Sequence, residues 1–160
     1  MCGIVGLYFK KKKLHNQLGK YLSGMLDNMS SRGPDSAGFA IYNNDSKKIF
    51  KYSLCIDDKL IAKNFEIDLK KKFKDVNIKT LSDHFILQTS STPRVIIPFI
   101  KKFYESILIV GYGKSIEIFK QVGNPKEIVK KFNLKSFSGS HGIGHTRMAT
   151  ESAITIDGSH

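Results

Sequence analysis

The first 30 residues contain two segments of different hydrophobic periodicity, and their order limits the folds available to the chain. Residues 3–9 are apolar and rich in residues that favour β-structure, which predicts a buried strand almost at the start of the chain. Residues 14–29 carry Leu, Tyr and Met side chains at steps of three and four, which is typical of an amphipathic helix. A strand followed directly by a helix indicates a mixed α+β fold.

Further strands are predicted in three places. Residues 37–43 and 48–54 have the composition of two strands, and the Asn-Asn-Asp sequence between them predicts a hairpin. Residues 106–120 predict a second hairpin that turns at a Gly-Tyr-Gly-Lys sequence. Residues 142–147 predict one more strand.

Two helices are predicted in the remaining sequence. Residues 58–74 are compatible with a lysine-rich helix, and a short helix is predicted to run from Asn124 to about residue 132. Asn124 is a good N-cap, and the proline that follows it suits the first helical position. Pro93 and Pro98 interrupt the segment from about residue 75 to residue 105, so no element is predicted there.

Composition excludes several classes of protein. The 160 residues correspond to one domain, with neither a repeat nor a linker. The formal net charge is +12, but 23 of the 26 cations are dispersed lysines without a nucleic-acid-binding motif, which favours solvated lysine faces over a nucleic-acid partner. No apolar run approaches the roughly 18 residues of a membrane span. Two cysteines and no basic leader predict a cytoplasmic protein with free thiols, no membrane contact, and no metal or cofactor.

Cys2 is the first candidate for chemistry. A small second residue favours removal of Met1, which would leave a thiol and a free α-amino group on one residue. An α-amino group has an ordinary pKa of about 7.7–8, so it can take up a proton near neutral pH. One residue could then supply both a nucleophile and a general base. The alternative is an ordinary cysteine at the start of a buried strand.

A second motif is Arg-Gly-Pro-Asp-Ser-Ala-Gly at residues 32–38. Its Gly-Pro-Asp centre is typical of a turn, and a turn is the simplest interpretation. A turn alone requires neither the arginine before it nor the small residues after it. Those small residues allow two chain segments to approach closely beside a site.

A third motif, Gly-Ile-Gly-His-Thr-Arg-Met-Ala-Thr, occupies residues 142–150 and places Arg147 among small and hydroxylated residues. An arginine can hold a carboxylate through two parallel N–H bonds, and Thr146 and Thr150 could add hydroxyl donors. His141 and His145 could form a metal pair, but no carboxylate or cysteine nearby in the sequence completes a ligand set.

Together these three motifs resemble the class II glutamine amidotransferases, which are N-terminal-nucleophile hydrolases. The matching segments are Met-Cys-Gly-Ile-Val-Gly at the start, residues 32–38, and Gly-His-Thr-Arg-x-Ala-Thr at 144–150, in this order. Residues 142–152 and the segment before them are similar to the GlxB-type branch, which is related to glutamate synthase and includes subunits of N-methylglutamate synthase-like complexes. The resemblance implies a four-layer αββα fold with two stacked antiparallel sheets.

The resemblance also implies roles for individual residues. Cys2 would be the catalytic nucleophile, and Arg147 would hold the α-carboxylate of the substrate glutamine. The other implied substrate-binding residues are Thr150 near that carboxylate, Arg32 and Gly33 around the leaving ammonia, and His160 as a family histidine near the pocket.

The family pattern extends further than this sequence. It places an Asn-Gly pair of oxyanion-hole donors and an amino-binding Asp after the histidine, and neither occurs in residues 1–160. One missing oxyanion donor lowers turnover by about 10²–10³. We therefore expect residues 1–160 to be the N-terminal part of a longer family domain that serves a glutamate synthase-like partner subunit. The alternatives are a catalytically inactive, truncated subunit with a partner-binding or regulatory role, and a basic nucleic-acid-binding module.

Overall fold

The computed structural model describes residues 2–43, 48–149, 154–156 and 158. The chain has a mixed α+β fold with two antiparallel sheets of four strands each. It divides into two compact units, of which the first comprises Met1–Asn44 and Ile118–His160 and the second comprises Asp45–Glu117.

The described residues form eight strands, β1 Gly3–Tyr8, β2 Ser36–Tyr42, β3 Phe50–Cys55, β4 Asn77–Leu81, β5 His84–Thr89, β6 Leu108–Gly113, β7 Ile116–Val122 and β8 His141–Arg147. They also form four α-helices, α1 Leu18–Asn28, α2 Lys59–Lys72, α3 Pro93–Phe103 and α4 Pro125–Lys131, and two 3-10 helices, Lys12–Gln17 and Leu134–Ser136.

The sheet of the first unit has the strand order β1-β8-β2-β7, so β8 lies between β1 and β2. Helix α1 packs on it through Leu18, Leu22 and Leu26, which recur every four residues and are buried. The helix approaches closely because β8 is rich in glycine. A Cβ atom added at Gly144 would lie 2.7 Å from Leu26 Cδ2. An aromatic cluster completes this core, with ring centroids 5.1–5.9 Å apart, and consists of Phe39, Phe119, Phe132 and Phe137.

The sheet of the second unit has the strand order β4-β5-β3-β6. Its core is formed by side chains from β3 and β5 together with one face each of α2 and α3. Phe65 and Leu69 of α2 and Ile96 and Ile100 of α3 are buried in this cluster. No helix in the described part of the chain is long and apolar enough to cross a membrane.

Most of the locally predicted elements are confirmed. They are the strands at the start of the chain, at 37–43, at 48–54 and at 142–147, and the helices at 58–74 and after Asn124. The Asn124 side chain accepts a hydrogen bond from Lys126 N at 3.0 Å, as expected of an N-cap. The predicted helix 14–29 is confirmed as α1 only from Leu18 onward. The preceding turns form a 3-10 helix without buried residues, so no packing favours the α-helical form there.

Both predicted hairpins are wrong. Strand β2 pairs with β8, whereas β3 pairs with β5 and β6, so the strands on either side of the Asn-Asn-Asp sequence belong to different sheets. Likewise β6 and β7 belong to different sheets. Pro98 lies inside α3 and does not end it, because the buried face of the helix outweighs the lost backbone hydrogen bond. The boundary between the two units falls inside β7, which explains why no linker is visible in the sequence.

Candidate active site

The end of strand β8 brings the three sequence motifs together. In the antiparallel ladder between β1 and β8, Gly3 lies opposite Thr146. Cys2 directly precedes Gly3 and Arg147 directly follows Thr146, so both lie next to this last pair of the ladder. On the other side of β8, Ser36 is paired with Arg147. Neighbouring strands are about 4.7–4.9 Å apart, so Cys2, Arg147 and Ser36 lie close together at one end of this sheet.

One of these three residues is exposed and two are buried. Cys2 is an exposed free thiol. Arg147 is only 9% exposed and Ser36 is fully buried, and Ser36 Oγ has no hydrogen-bond partner among the described residues. An accessible thiol thus lies at the same end of the sheet as a buried guanidinium group.

Thr146 has a different role from the one predicted. Because side chains alternate along a strand, Thr146 lies on the opposite face of β8 from Arg147. Its side chain is buried, and its Oγ1 donates a hydrogen bond to Met29 O at 3.3 Å, just after the end of α1. The prediction that Thr146 donates to the substrate is therefore wrong, because its hydroxyl connects the sheet to the helix.

Gly33 packs directly against the backbone of β8. A Cβ atom at this position would lie 2.5 Å from Arg147 N and 2.5 Å from Thr146 C. Such distances are sterically forbidden, so only glycine permits this approach. Pro34 next to it forms an isolated parallel bridge with Arg147. The second motif therefore contacts the Arg147 backbone through its turn glycine.

Asp35 organises the site, although the sequence pattern indicated only a turn residue. Its backbone N–H donates to Arg147 O at 3.1 Å, and its Oδ2 accepts from Ala149 N at 2.7 Å. Its carbonyl accepts from Gly123 N at 2.8 Å, where the chain leaves β7. Asp35 thus holds the chain at Arg147 and again at Ala149, two residues later. The signal available in the sequence was the Asp that directly follows Gly-Pro.

Of the three remaining predicted site residues, the structure describes only Arg32. Arg32 is exposed in the turn after α1, where its backbone N–H donates to Met29 O at 3.0 Å. Thr150 and His160 lie outside the described residues. The structure therefore brings together Cys2, Gly33 and Arg147, with Arg32 next to Gly33 in the chain.

The two histidines of β8 do not form a metal site with other described residues. His141 stacks on Tyr42 with a centroid distance of 4.2 Å, and its Nδ1 lies 2.9 Å from Ser140 Oγ. In the described part of the chain, neither His141 nor His145 belongs to a cluster of three His, Cys, Asp or Glu side chains.

Comparison with known proteins finds two relatives that match almost the whole chain. The chain is 41% identical over 165 residues to the glutamine amidotransferase-like protein GlxB of Rhizobium meliloti (strain 1021), an alignment that covers 100% of the chain and 54% of the relative. It is 33% identical over 168 residues to a protein of Methanothermobacter thermautotrophicus whose name assigns it provisionally to the glutamine amidotransferases, with 96% and 54% covered.

A shorter similarity, 37% over 57 residues, links it to the glutamine–fructose-6-phosphate aminotransferase (isomerizing) of Methanococcus maripaludis, with 36% of the chain and 10% of the relative covered. No protein-family model matches the chain. The chain spans about half the length of the first two relatives. The first two relatives match almost the whole chain, and their names refer to glutamine amidotransferases. This similarity supports the glutamine amidotransferase family for this sequence.

Proposed function

We propose that the chain is the glutamine-hydrolysing part of a class II glutamine amidotransferase, with Cys2 as an N-terminal nucleophile. The observation that carries this proposal is the register of β1 and β8. Its last pair is Gly3 with Thr146, and next to that pair lie the exposed thiol of Cys2 on one segment and the buried Arg147 on the other. The similarity to the two longer relatives supports the same activity.

The proposed reaction begins after removal of Met1. The α-amine of Cys2 takes the thiol proton, and the sulfur attacks the carboxamide carbon of glutamine to form a tetrahedral oxyanion. The C–N bond then breaks, and ammonia leaves with the proton returned by the α-ammonium group. A γ-glutamyl thioester remains, and a water molecule deprotonated by the same amine hydrolyses it to glutamate. Each half is general acid–base chemistry by a group suited to neutral pH.

Arg147 is the proposed carboxylate-binding residue. A guanidinium group can hold a carboxylate through two parallel charge-assisted hydrogen bonds, which also orients the substrate. Anchored in this way, the aliphatic chain of glutamine would reach toward the neighbouring strand, where Cys2 lies. The proposed supporting residues are Arg32 and Gly33 near the leaving ammonia, and Thr150 and His160 elsewhere in the pocket.

We further propose that the complete domain is a four-layer αββα sandwich and that oxyanion donors follow residue 160. The protein would belong to the GlxB-type branch related to glutamate synthase. It would pass ammonia, or a glutamyl group, to a glutamate synthase-like partner subunit. These would be properties of the whole protein, of which residues 1–160 would be a part.

Active-site labelling tests the proposal in the full-length protein. A glutamine analogue with an electrophilic carbon in place of the amide should label Cys2 and spare the buried Cys55, and free glutamine should protect against labelling. Cys2→Ala should abolish both labelling and glutamine-dependent ammonia release, whereas the matched control Cys55→Ala should retain both. Ammonia release that survives Cys2→Ala would refute the proposal. Glutamate binding without any ammonia release would instead support a catalytically inactive subunit.

Two further measurements address individual steps. The intact mass of the active protein should show loss of Met1, and retention of Met1 in an active preparation would exclude the α-amine mechanism. Arg147→Lys keeps the positive charge but removes the bidentate geometry. It should raise the KM for glutamine about 10-fold or more, as expected for loss of one charge-assisted hydrogen bond.

A further inference from the structure

A second group of reactive side chains lies in the second unit, at the end of β3. Cys55 is the last residue of β3 and is paired in register with His84, the first residue of β5. Strands β4 and β5 are joined by a two-residue turn of Ser82 and Asp83, because Leu81 is paired with His84. Strand pairing therefore brings together a thiol, an imidazole and a carboxylate that are separated in sequence.

Backbone contacts hold these groups in place. Ile56 N, immediately after Cys55, donates to Asp83 O at 2.9 Å, which attaches the β4–β5 turn to the end of β3. His84 Nδ1 lies 2.9 Å from Asp83 Oδ1. One possible ligand atom from each of Cys55, Asp83 and His84 lies within 4.8 Å of the others. His84 is fully buried, Cys55 is 4% exposed, and Asp83 is partly accessible.

We propose that Cys55, Asp83 and His84 bind a zinc ion. Thiolate sulfur, imidazole nitrogen and carboxylate oxygen are the three ligand types that zinc uses in proteins. Bond lengths of about 2.0–2.3 Å in a tetrahedral site place ligand atoms roughly 3.4–3.6 Å apart. Small side-chain rotations would bring the three groups to that spacing. Asp57, whose Oδ1 lies 3.8 Å from Cys55 Sγ, would complete the coordination, directly or through a water molecule.

The burial of this cluster indicates a structural rather than a catalytic ion. A zinc ion here would link the end of β3 to the β4–β5 turn and so stabilise the edge of the sheet that contains β4. The proposal does not depend on glutamine hydrolysis, because Cys2 and Arg147 belong to the first unit and none of the zinc ligands does.

Metal titration of the full chain tests the proposal. Zinc should bind with one ion per chain. Cobalt(II), used as a spectroscopic substitute, should produce a thiolate-to-metal charge-transfer band and the intense d–d bands of a tetrahedral site. Cys55→Ser should remove the charge-transfer band and weaken zinc binding at least 100-fold, whereas Cys2→Ser should change neither. Absence of stoichiometric binding, or a charge-transfer band that depends on Cys2, would overturn the proposal.

Two controls keep the result interpretable. Circular dichroism of each metal-free variant shows whether it has folded, and Asp83→Asn is the preferred second variant because its side chain is partly accessible. It should weaken zinc binding about 10-fold or more without unfolding the protein. Calorimetry in buffers of different ionisation enthalpy should also show release of about one proton per zinc, since the Cys55 thiol must become a thiolate. Zinc binding without proton release would contradict thiolate ligation.

Discussion

Gly33→Ala provides the most direct test of how the fold positions Arg147. The added Cβ would meet Arg147 N and Thr146 C, each at 2.5 Å, and ordinary van der Waals contact begins near 3.4 Å. The turn and β8 must therefore separate by about 0.9 Å. Both obstructing atoms belong to the backbone of a central strand, so no side-chain rotation can relieve the clash.

The expected cost is that of overpacking, about 1–3 kcal/mol of unfolding free energy. A loss of about 2 kcal/mol should lower the Tm by roughly 4–8 °C for a protein of this size. If Arg147 binds the substrate as proposed, the substitution should also impair chemistry, because a displacement near 1 Å at a substrate-positioning group can lower the rate about 100-fold. Labelling of Cys2 by the electrophilic glutamine analogue should therefore slow more than the stability loss alone explains.

Gly24→Ala is the matched control, because it makes the same chemical change at an exposed position of α1 where nothing lies within 4 Å of the new methyl group. Alanine is favoured over glycine in helices, so this variant should gain about 0.5–1 kcal/mol. Urea denaturation and labelling kinetics of both variants measure the contrast. A Gly33→Ala protein as stable and as readily labelled as the wild type would refute the close packing described for this site.

Substitutions at three other positions test separate features. Asp35→Ala should lower the unfolding free energy by about 1–2 kcal/mol and slow Cys2 labelling, because Ala149 N loses a charged acceptor, and Asp35→Asn should restore most of both. Hydrogen bonds from Ser90, first of all from its side chain, lower the pKa of Asp75 in the folded protein. The stability that these bonds contribute is therefore present above about pH 4. It disappears as the pH falls through the lowered folded-state pKa. Asp75→Asn should therefore be less stable than the wild type in urea titrations at neutral pH and equally stable in strongly acidic solution; a difference that grew on acidification would contradict this cause. Ser82→Gly should raise the Tm, with a gain of up to about 1 kcal/mol, because Ser82 has a φ of 59° that glycine adopts more easily.

Local features of this fold could be predicted from the sequence because their causes are local. The periodic leucines of α1, the Asn124 cap of α4 and the apolar residues of β1 each depend on a few neighbouring positions. Strand pairing has no such local cause. Alternating hydrophobicity identifies β2 and β3 as strands, but it does not reveal that each pairs elsewhere, so proximity in sequence predicted hairpins that do not form.

The candidate site shows the same difference between features with local causes and features that depend on strand pairing. Arg147 and Gly33 were recognisable as candidates from their motifs, but their contact depends on β8 lying beside β2, a pairing between segments more than 100 residues apart. The carboxylate of Asp35 could not be distinguished from that of an ordinary turn residue, since its partner Ala149 is equally distant in the chain. Nothing in the sequence indicated that Cys55 lies beside His84, because only the ladder between β3 and β5 brings these two residues together.

The register of β8 is therefore the property on which the proposed chemistry depends. A shift of one residue would exchange the two faces of the strand and place Thr146, rather than Arg147, next to Cys2 at the end of the ladder. Several contacts oppose such a shift, because Thr146 Oγ1 donates to Met29 O on one face and Asp35 binds both Arg147 O and Ala149 N at the strand end. These groups need no contact with glutamine to matter for its binding. Substitutions at Asp35 should consequently lower Cys2 reactivity by changing where Arg147 lies, and not by changing the chemistry of the thiol.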